Sequence, residues 1–194
     1  MDSKEIAKEK KEQQKVANAP QSLGIWSIQE GLIQTIRDIL PTGKTILELG
    51  SGYGTKVLLE HYKVYSIEHN HRWLDRYHNN YIYAPLKEHK ALKHYYGTQW
   101  YDPEVLKKEL PNIDYDLLLV DGPPYHRAGL IKFFKLFKRD VPIIFDDYNR
   151  PADSAVVIKI AHILNKPYVV RGTSEYLNGY DKKLFAIIND PRIS

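Results

Sequence analysis

A chain of 194 residues is long enough for one domain with a full-sized core. It has no cysteine, which excludes disulfides, thiolate metal sites and a cysteine nucleophile. A net charge of +4 and a pI near 9.0 are too mildly basic to indicate a nucleic-acid partner unless the charge gathers into one patch.

Residues 1–15 hold five lysines and four carboxylates, so a charged N-terminal arm or helix is expected over 1–21 and one domain over 22–194. That N-terminus lacks a signal-peptide core, and no apolar run approaches the ~20 residues that span a bilayer. A soluble, cytoplasmic protein with no membrane partner is the expectation. The run ILELGSGYGT at 46–55 reads as a buried parallel strand entering a glycine-rich turn, with a helical pattern from Thr55 onward. A second strand over 63–67 ends at Glu68, twenty residues after Glu48. A carboxylate at that strand tip is where a nucleoside-binding fold grips ribose hydroxyls. A dinucleotide fingerprint would need glycine where Thr55 stands, and no Gly-Lys-Ser/Thr ending makes a P-loop.

A third strand is predicted over 81–84, followed by the longest irregular stretch, 85–115. Its Tyr95, Tyr96, Trp100 and Tyr101 suit either a stacking wall or a lid on the core. His69 and His71 flank a strand-to-helix turn and read as surface or cofactor contacts rather than metal ligands. A fourth strand over 116–120 ends at Asp121. Lys132, Lys135, Lys138 and Arg139 then interleave with Phe133, Phe134, Leu136 and Phe137, as on an amphipathic helix. A fifth strand over 141–145 ends at Asp146 and Asp147, a helix begins near Ala152, and β-like runs follow at 168–170 and 184–188. Glu48, Glu68, Asp121 and Asp146 all fall near strand carboxyl ends, where open α/β sheets bind ligands.

The series Glu-Leu-Gly-Ser-Gly-Tyr-Gly-Thr at 48–55 resembles motif I of the class I S-adenosylmethionine-dependent methyltransferases, and the ordered strand tips extend the resemblance over 22–190. It implies an α/β, Rossmann-like, doubly wound sheet of seven strands, mostly parallel with a C-terminal antiparallel hairpin. It also implies S-adenosyl-L-methionine as cofactor. By this resemblance Glu48 lies near the cofactor's amino group, and Gly50, Ser51, Gly52, Gly54 and Thr55 pass its methionine part. Glu68 holds the ribose with His69 beside it, Ala84 and Pro85 meet the adenine, and Ser27 belongs to a region that folds over the cofactor.

The acceptor class is read from the later strand tips. The run IIFDDYNRP resembles the acidic pair of metal-dependent sugar O-methyltransferases, and catechol-type enzymes have a related pair. Asp121 matches their third carboxylate. This implies Mg²⁺ or another divalent cation on Asp121, Asp146 and Asp147, and a hydroxyl on a sugar, glycan or other small polar acceptor. Pro123 and Pro124 stand where those families have a further functional residue, so His126 becomes the candidate base. His126 reads equally as a helix-start residue bonded to backbone, and Asp147 as a helix cap or Asx-turn. A second resemblance, of GPPY at 122–125 to DNA amino-methyltransferases, implies transfer to the amine of a flipped base. There Gly122 cannot supply the usual side-chain acceptor, and Asp121 lies one position early. The same fold also suits a non-catalytic S-adenosylmethionine-binding subunit.

Overall fold

The computed structural model describes residues 28–89, 98–172 and 184–193. The predicted arm at 1–21, Trp26, Ser27, Tyr95 and Tyr96 lie outside the described residues. The elements in chain order are α1 (Glu30–Ile39), β1 (Thr45–Leu49), α2 (Tyr53–Leu58), β2 (Lys63–Glu68), β3 (Tyr81–Tyr83), β4 (Leu86–Glu88) and β5 (Gln99–Tyr101). They continue with α3 (Pro103–Glu109), β6 (Leu117–Val120), α4 (Gly129–Phe133), β7 (Ile143–Phe145), α5 (Pro151–Leu164), β8 (Tyr168–Gly172) and β9 (Leu184–Ile188).

Seven strands form one sheet in the order β3-β2-β1-β6-β7-β9-β8. β1, β2, β3, β6 and β7 pair in parallel, whereas β9 is antiparallel to both β7 and β8. The strand order reverses between β1 and β6, the position where an open α/β sheet leaves a crevice for ligand. The central strands are continuous apolar runs because helices cover both faces. Side chains alternate between two cores. Ile46, Leu117, Leu119 and Ile144 pack with Leu32, Ile33 and Ile36 of α1 and Leu58 of α2. Leu47, Leu49, Leu118, Val120, Ile143 and Phe145 face the opposite way, toward Leu106 of α3, Leu130 of α4 and Val156, Val157 and Ile160 of α5. Among the described residues no helix is long and apolar enough to cross a membrane.

Residues 85–115 depart from the irregular stretch expected there. They contain the antiparallel pair β4–β5 and the helix α3. Asp102 caps α3 by accepting the Glu104 N–H at 3.0 Å, and Pro103 fills the first turn, where its missing N–H leaves no gap. Lys87 of β4 lies 2.6 Å from the same aspartate, joining hairpin to helix. Trp100 and Tyr101 are fully buried, which makes them a lid on the core. The amphipathic segment after residue 128 is also shorter than its pattern suggested, because α4 tightens into a 3-10 turn at Phe134–Leu136.

Gly129 lies against the Trp100 ring, and a Cβ there would overlap Trp100 Cβ, Cγ and Cδ2. Gly129→Ala is expected to destabilise the fold by about 1–3 kcal/mol through overpacking. Urea unfolding measures this, and an unchanged midpoint would show that the lid is loosely packed.

Candidate active site

The carboxyl ends of β1, β2, β6 and β7 open on one cavity of about 370 Å³. Gly50, Ser51, Gly52, Glu68 and His69 line one side, with Tyr53, Asn70 and Trp73 beside them. Asp121, Gly122, Arg127, Asp146, Asp147 and Arg150 line the other. Gly50 has φ +88°, a conformation that a side chain rarely tolerates, and it touches the loop after β6. A Cβ on Gly50 would lie 2.9 Å from Gly122 N, and one on Gly122 would lie 2.9 Å from Gly50 Cα. Gly52 is different, since a Cβ there would meet nothing within 4 Å. The first turn therefore presents bare backbone to open space.

Glu68 binds this turn to the end of β2. Its Oε1 accepts the N–H groups of His69 and Asn70, both at 2.7 Å, and its Oε2 accepts that of Ser51 at 3.0 Å. Glu48 does not line the cavity. It is buried behind the turn, accepting hydroxyl protons from Ser66 at 2.8 Å and from Thr55 at 2.9 Å and 3.0 Å. Burial pushes its carboxyl up to about 8, against the opposing pull of those two hydroxyls. Thr55 Oγ1 also accepts the Gly52 N–H at 3.0 Å, so Glu48 is linked to the turn through Thr55. Gly54, Thr55, Ala84 and Pro85 likewise lie outside the cavity lining.

At the other end, carboxylate oxygens of Asp121, Asp146 and Asp147 lie within 4.8 Å of one another. Asp147 has φ +57° and does not cap α5. Its Oδ2 is engaged at 3.0 Å by Arg127 and at 2.7 Å by Arg150. Arg127 is 2 % exposed and sits in the middle of this cluster. Nε donates to the Asp121 carbonyl, Nη1 to the Asp146 carbonyl and to Asp153 Oδ2, each at 3.0 Å. Nη2 donates to Asp147 and also contacts the Asp121 carbonyl. Burial alone would lower the pKa of Arg127, but the carboxylates of Asp153, Asp121, Asp147 and Asp146 outweigh it and raise the value. Arg127 and Arg150 were absent from the candidates read in sequence. The available signal was an arginine within a few residues of each acidic strand tip.

The donor types of this cluster suit a hard cation, but the surrounding charges do not. An ion bound to Asp147 Oδ2 would share that oxygen with two guanidinium groups, one of them buried. Nη2 of Arg127 is also 3.5 Å from Asp121 Oδ1, a second of the three would-be ligands. His126 lies beyond the cavity lining, half-buried, with Nδ1 shielded and without a hydrogen-bond partner among the described residues. Burial and the neighbouring His69 lower its pKa.

No family model matches the chain, and no curated protein matches its sequence. Similar solved structures do exist. The methyltransferase domain of the bacterial protein CtHen1 is 11% identical, with 81% of this chain and 95% of that chain covered at a TM-score of 0.51. A human methyltransferase 10 domain containing protein is 12% identical, with coverages of 81% and 78% and a TM-score of 0.50. An rRNA methylase from Streptococcus thermophilus is 9% identical, with coverages of 81% and 92% and a TM-score of 0.49. The seven-stranded sheet has the fold of class I S-adenosylmethionine-dependent methyltransferases.

Glu48 generates a pH prediction. With its ordinary value of 4.5 raised to about 8, the folded state holds a proton that the unfolded state releases between those limits. This group's contribution to stability therefore declines as pH rises from about 4.5 to about 8. Glu48→Gln should flatten that decline in urea unfolding across the pH range. Parallel slopes in the two proteins would mean that Glu48 is ionised when folded.

Proposed function

We propose that the protein transfers a methyl group from S-adenosyl-L-methionine to a hydroxyl of a sugar, glycan or other small polar acceptor. The observation carrying this reading is that one cavity joins a bare glycine turn and a strand-tip glutamate to three clustered carboxylates. Bound cofactor would supply a methyl on a sulfonium; transfer breaks the carbon–sulfur bond, forms a carbon–oxygen bond and releases the hydroxyl proton. In-line displacement rewards alignment above all.

In this reading Gly50, Ser51 and Gly52 hold the methionine part against the backbone. Glu68 Oε2 receives one N–H and keeps acceptor capacity for a ribose hydroxyl. His69 lines the cavity beside the cofactor, Gly54, Thr55, Ala84 and Pro85 stand outside that lining, and Glu48 acts through Thr55. Asp121, Asp146 and Asp147 orient the acceptor's hydroxyls. His126 stands outside the cavity lining but near His69 of that lining, and it is the candidate to take the proton, its lowered pKa favouring the neutral imidazole. The Mg²⁺-assisted version draws on the same three carboxylates and has the two arginines against it. A second reading, transfer to a base amine, has in its favour the exposure of Tyr125 at 67% on the GPPY loop.

The deciding experiment is product detection by mass spectrometry with labelled cofactor on sugars, catechols and nucleic acids, with and without Mg²⁺. The expected product is a hydroxylated acceptor one methyl heavier. A methylated base would overturn the acceptor assignment, and cofactor binding without any product would favour a non-catalytic subunit.

His126 gives a separate test. Activity should fall as pH drops through a value below the ordinary 6.5, where the imidazole becomes protonated. His126→Asn should remove this acid limb and lower kcat by about 10²-fold or more. An unchanged pH profile would assign the proton to another group.

A further inference from the structure

We infer that Arg127 is the resident cation of the acidic cluster, a guanidinium that occupies the role of a divalent ion and shapes the acceptor end of the cavity. The inference rests on the methyl-transfer reading for its catalytic meaning. Its structural content stands on donor geometry.

Arginine has five N–H donors in a rigid fork. All five are directed at oxygen here: two at the Asp121 carbonyl and one each at the Asp146 carbonyl, Asp147 Oδ2 and Asp153 Oδ2. These partners come from the end of β6, the loop after β7 and the first turn of α5. A guanidinium so enclosed has no donor left for solvent. It has one geometry in which every donor is met. Lysine could offer comparable charge but not this fork.

Electrostatics points the same way. A divalent ion on Asp147 would lie within a few ångströms of the Arg127 charge, with the buried setting giving little screening. Arg150 adds a second positive group to the same oxygen at 2.7 Å. The cluster therefore has its counter-charge built into the chain. Removing that charge should do two things at once: destabilise the fold and leave a vacated carboxylate pocket able to take a metal ion.

The test titrates the intact chain and its Arg127→Met and Arg127→Lys variants with Mg²⁺ and Mn²⁺, by calorimetry and by Tm with and without chelator. The wild type is expected to give no binding heat and no Tm shift. Arg127→Met should lose about 10 °C in Tm, the scale of breaking a buried charge pair. It should recover part of that loss on adding Mn²⁺, a response that a merely structural arginine would not produce. Arg127→Lys should be less stable than wild type yet indifferent to Mn²⁺.

Stabilisation of the wild type by Mg²⁺ or Mn²⁺, or its destabilisation by chelator, would overturn the inference. So would Arg127→Met with wild-type Tm. If Arg127→Met does not fold, the wild-type titrations still decide. None of these readouts needs turnover. Failure of the acceptor panel alongside the expected metal responses would remove the methyl-transfer reading and leave the charge assignment standing.

Discussion

The close approach of two backbones at Gly50 and Gly122 is the constraint on which the cavity depends. Gly122 donates to the Leu49 carbonyl at 2.5 Å, and Asp121 donates to the same oxygen at 3.1 Å. The loop after β6 is thereby folded onto the exit of β1, the two strands between which the sheet reverses its order. A side chain on either glycine would force the loops apart. Their contact brings the glycine turn and the acidic cluster to opposite walls of one space. Without it, the sheet could retain every strand and still lack a joint site.

Charge is buried in two different ways on either side of that contact. Among the described residues Glu48 accepts from the hydroxyls of Thr55 and Ser66, which do not offset the loss of water, so its carboxyl is driven toward the protonated form. Asp147 has two guanidinium partners. Asp153 lies between these extremes: burial raises its pKa while Arg127 pulls against the rise. Behind the glycine turn Glu48 thus sits in a network of hydroxyls, whereas the opposite wall is built of ion pairs. Salt screens exposed charges far more than buried ones, so the buried pairs of Arg127 with Asp147 and Asp153 are screened less than the pair that Asp147 makes with the partly exposed Arg150.

Much of the sheet was legible because β1, β2, β6, β7 and β9 are apolar runs, and their acidic tips stood out against them. β4 and β5 were not legible. Each has three residues, too few for a two-residue period to emerge, and Lys87, Glu88 and Gln99 interrupt any apolar signal. The start of α3 did carry a local signal, an aspartate followed by proline, inside a stretch expected to be irregular. Glu48 could have been oriented from strand alternation alone. It lies on the Ile46 face, opposite Leu47 and Leu49, and hence beneath α2. Arg127 is the hardest case. A charged residue in a proline-containing loop reads as exposed, and its four partners, though all downstream or upstream within one stretch of sequence, converge only after β6, β7 and α5 have packed.

The backbone at Asp147 shows which of two local preferences prevails. A left-handed conformation in a residue with a side chain costs on the order of 1 kcal/mol, and glycine would remove that cost. Glycine would also leave Arg127 Nη2 without its carboxylate and Arg150 without its 2.7 Å partner. Breaking a buried charge pair costs about 3–5 kcal/mol, which exceeds the relief of strain. Aspartate is therefore favoured against the local backbone preference, and its strain is sustained by a partner twenty residues earlier in the chain. The same guanidinium holds the carbonyl of Asp146, so the loop after β7 is fixed through one residue's backbone and the next residue's side chain. With the Asp121 carbonyl on that fork too, the loops after β6 and β7 cannot shift independently. The two loops are thereby tied together through one side chain, an arrangement that would suit the alignment an in-line displacement requires under the proposed function.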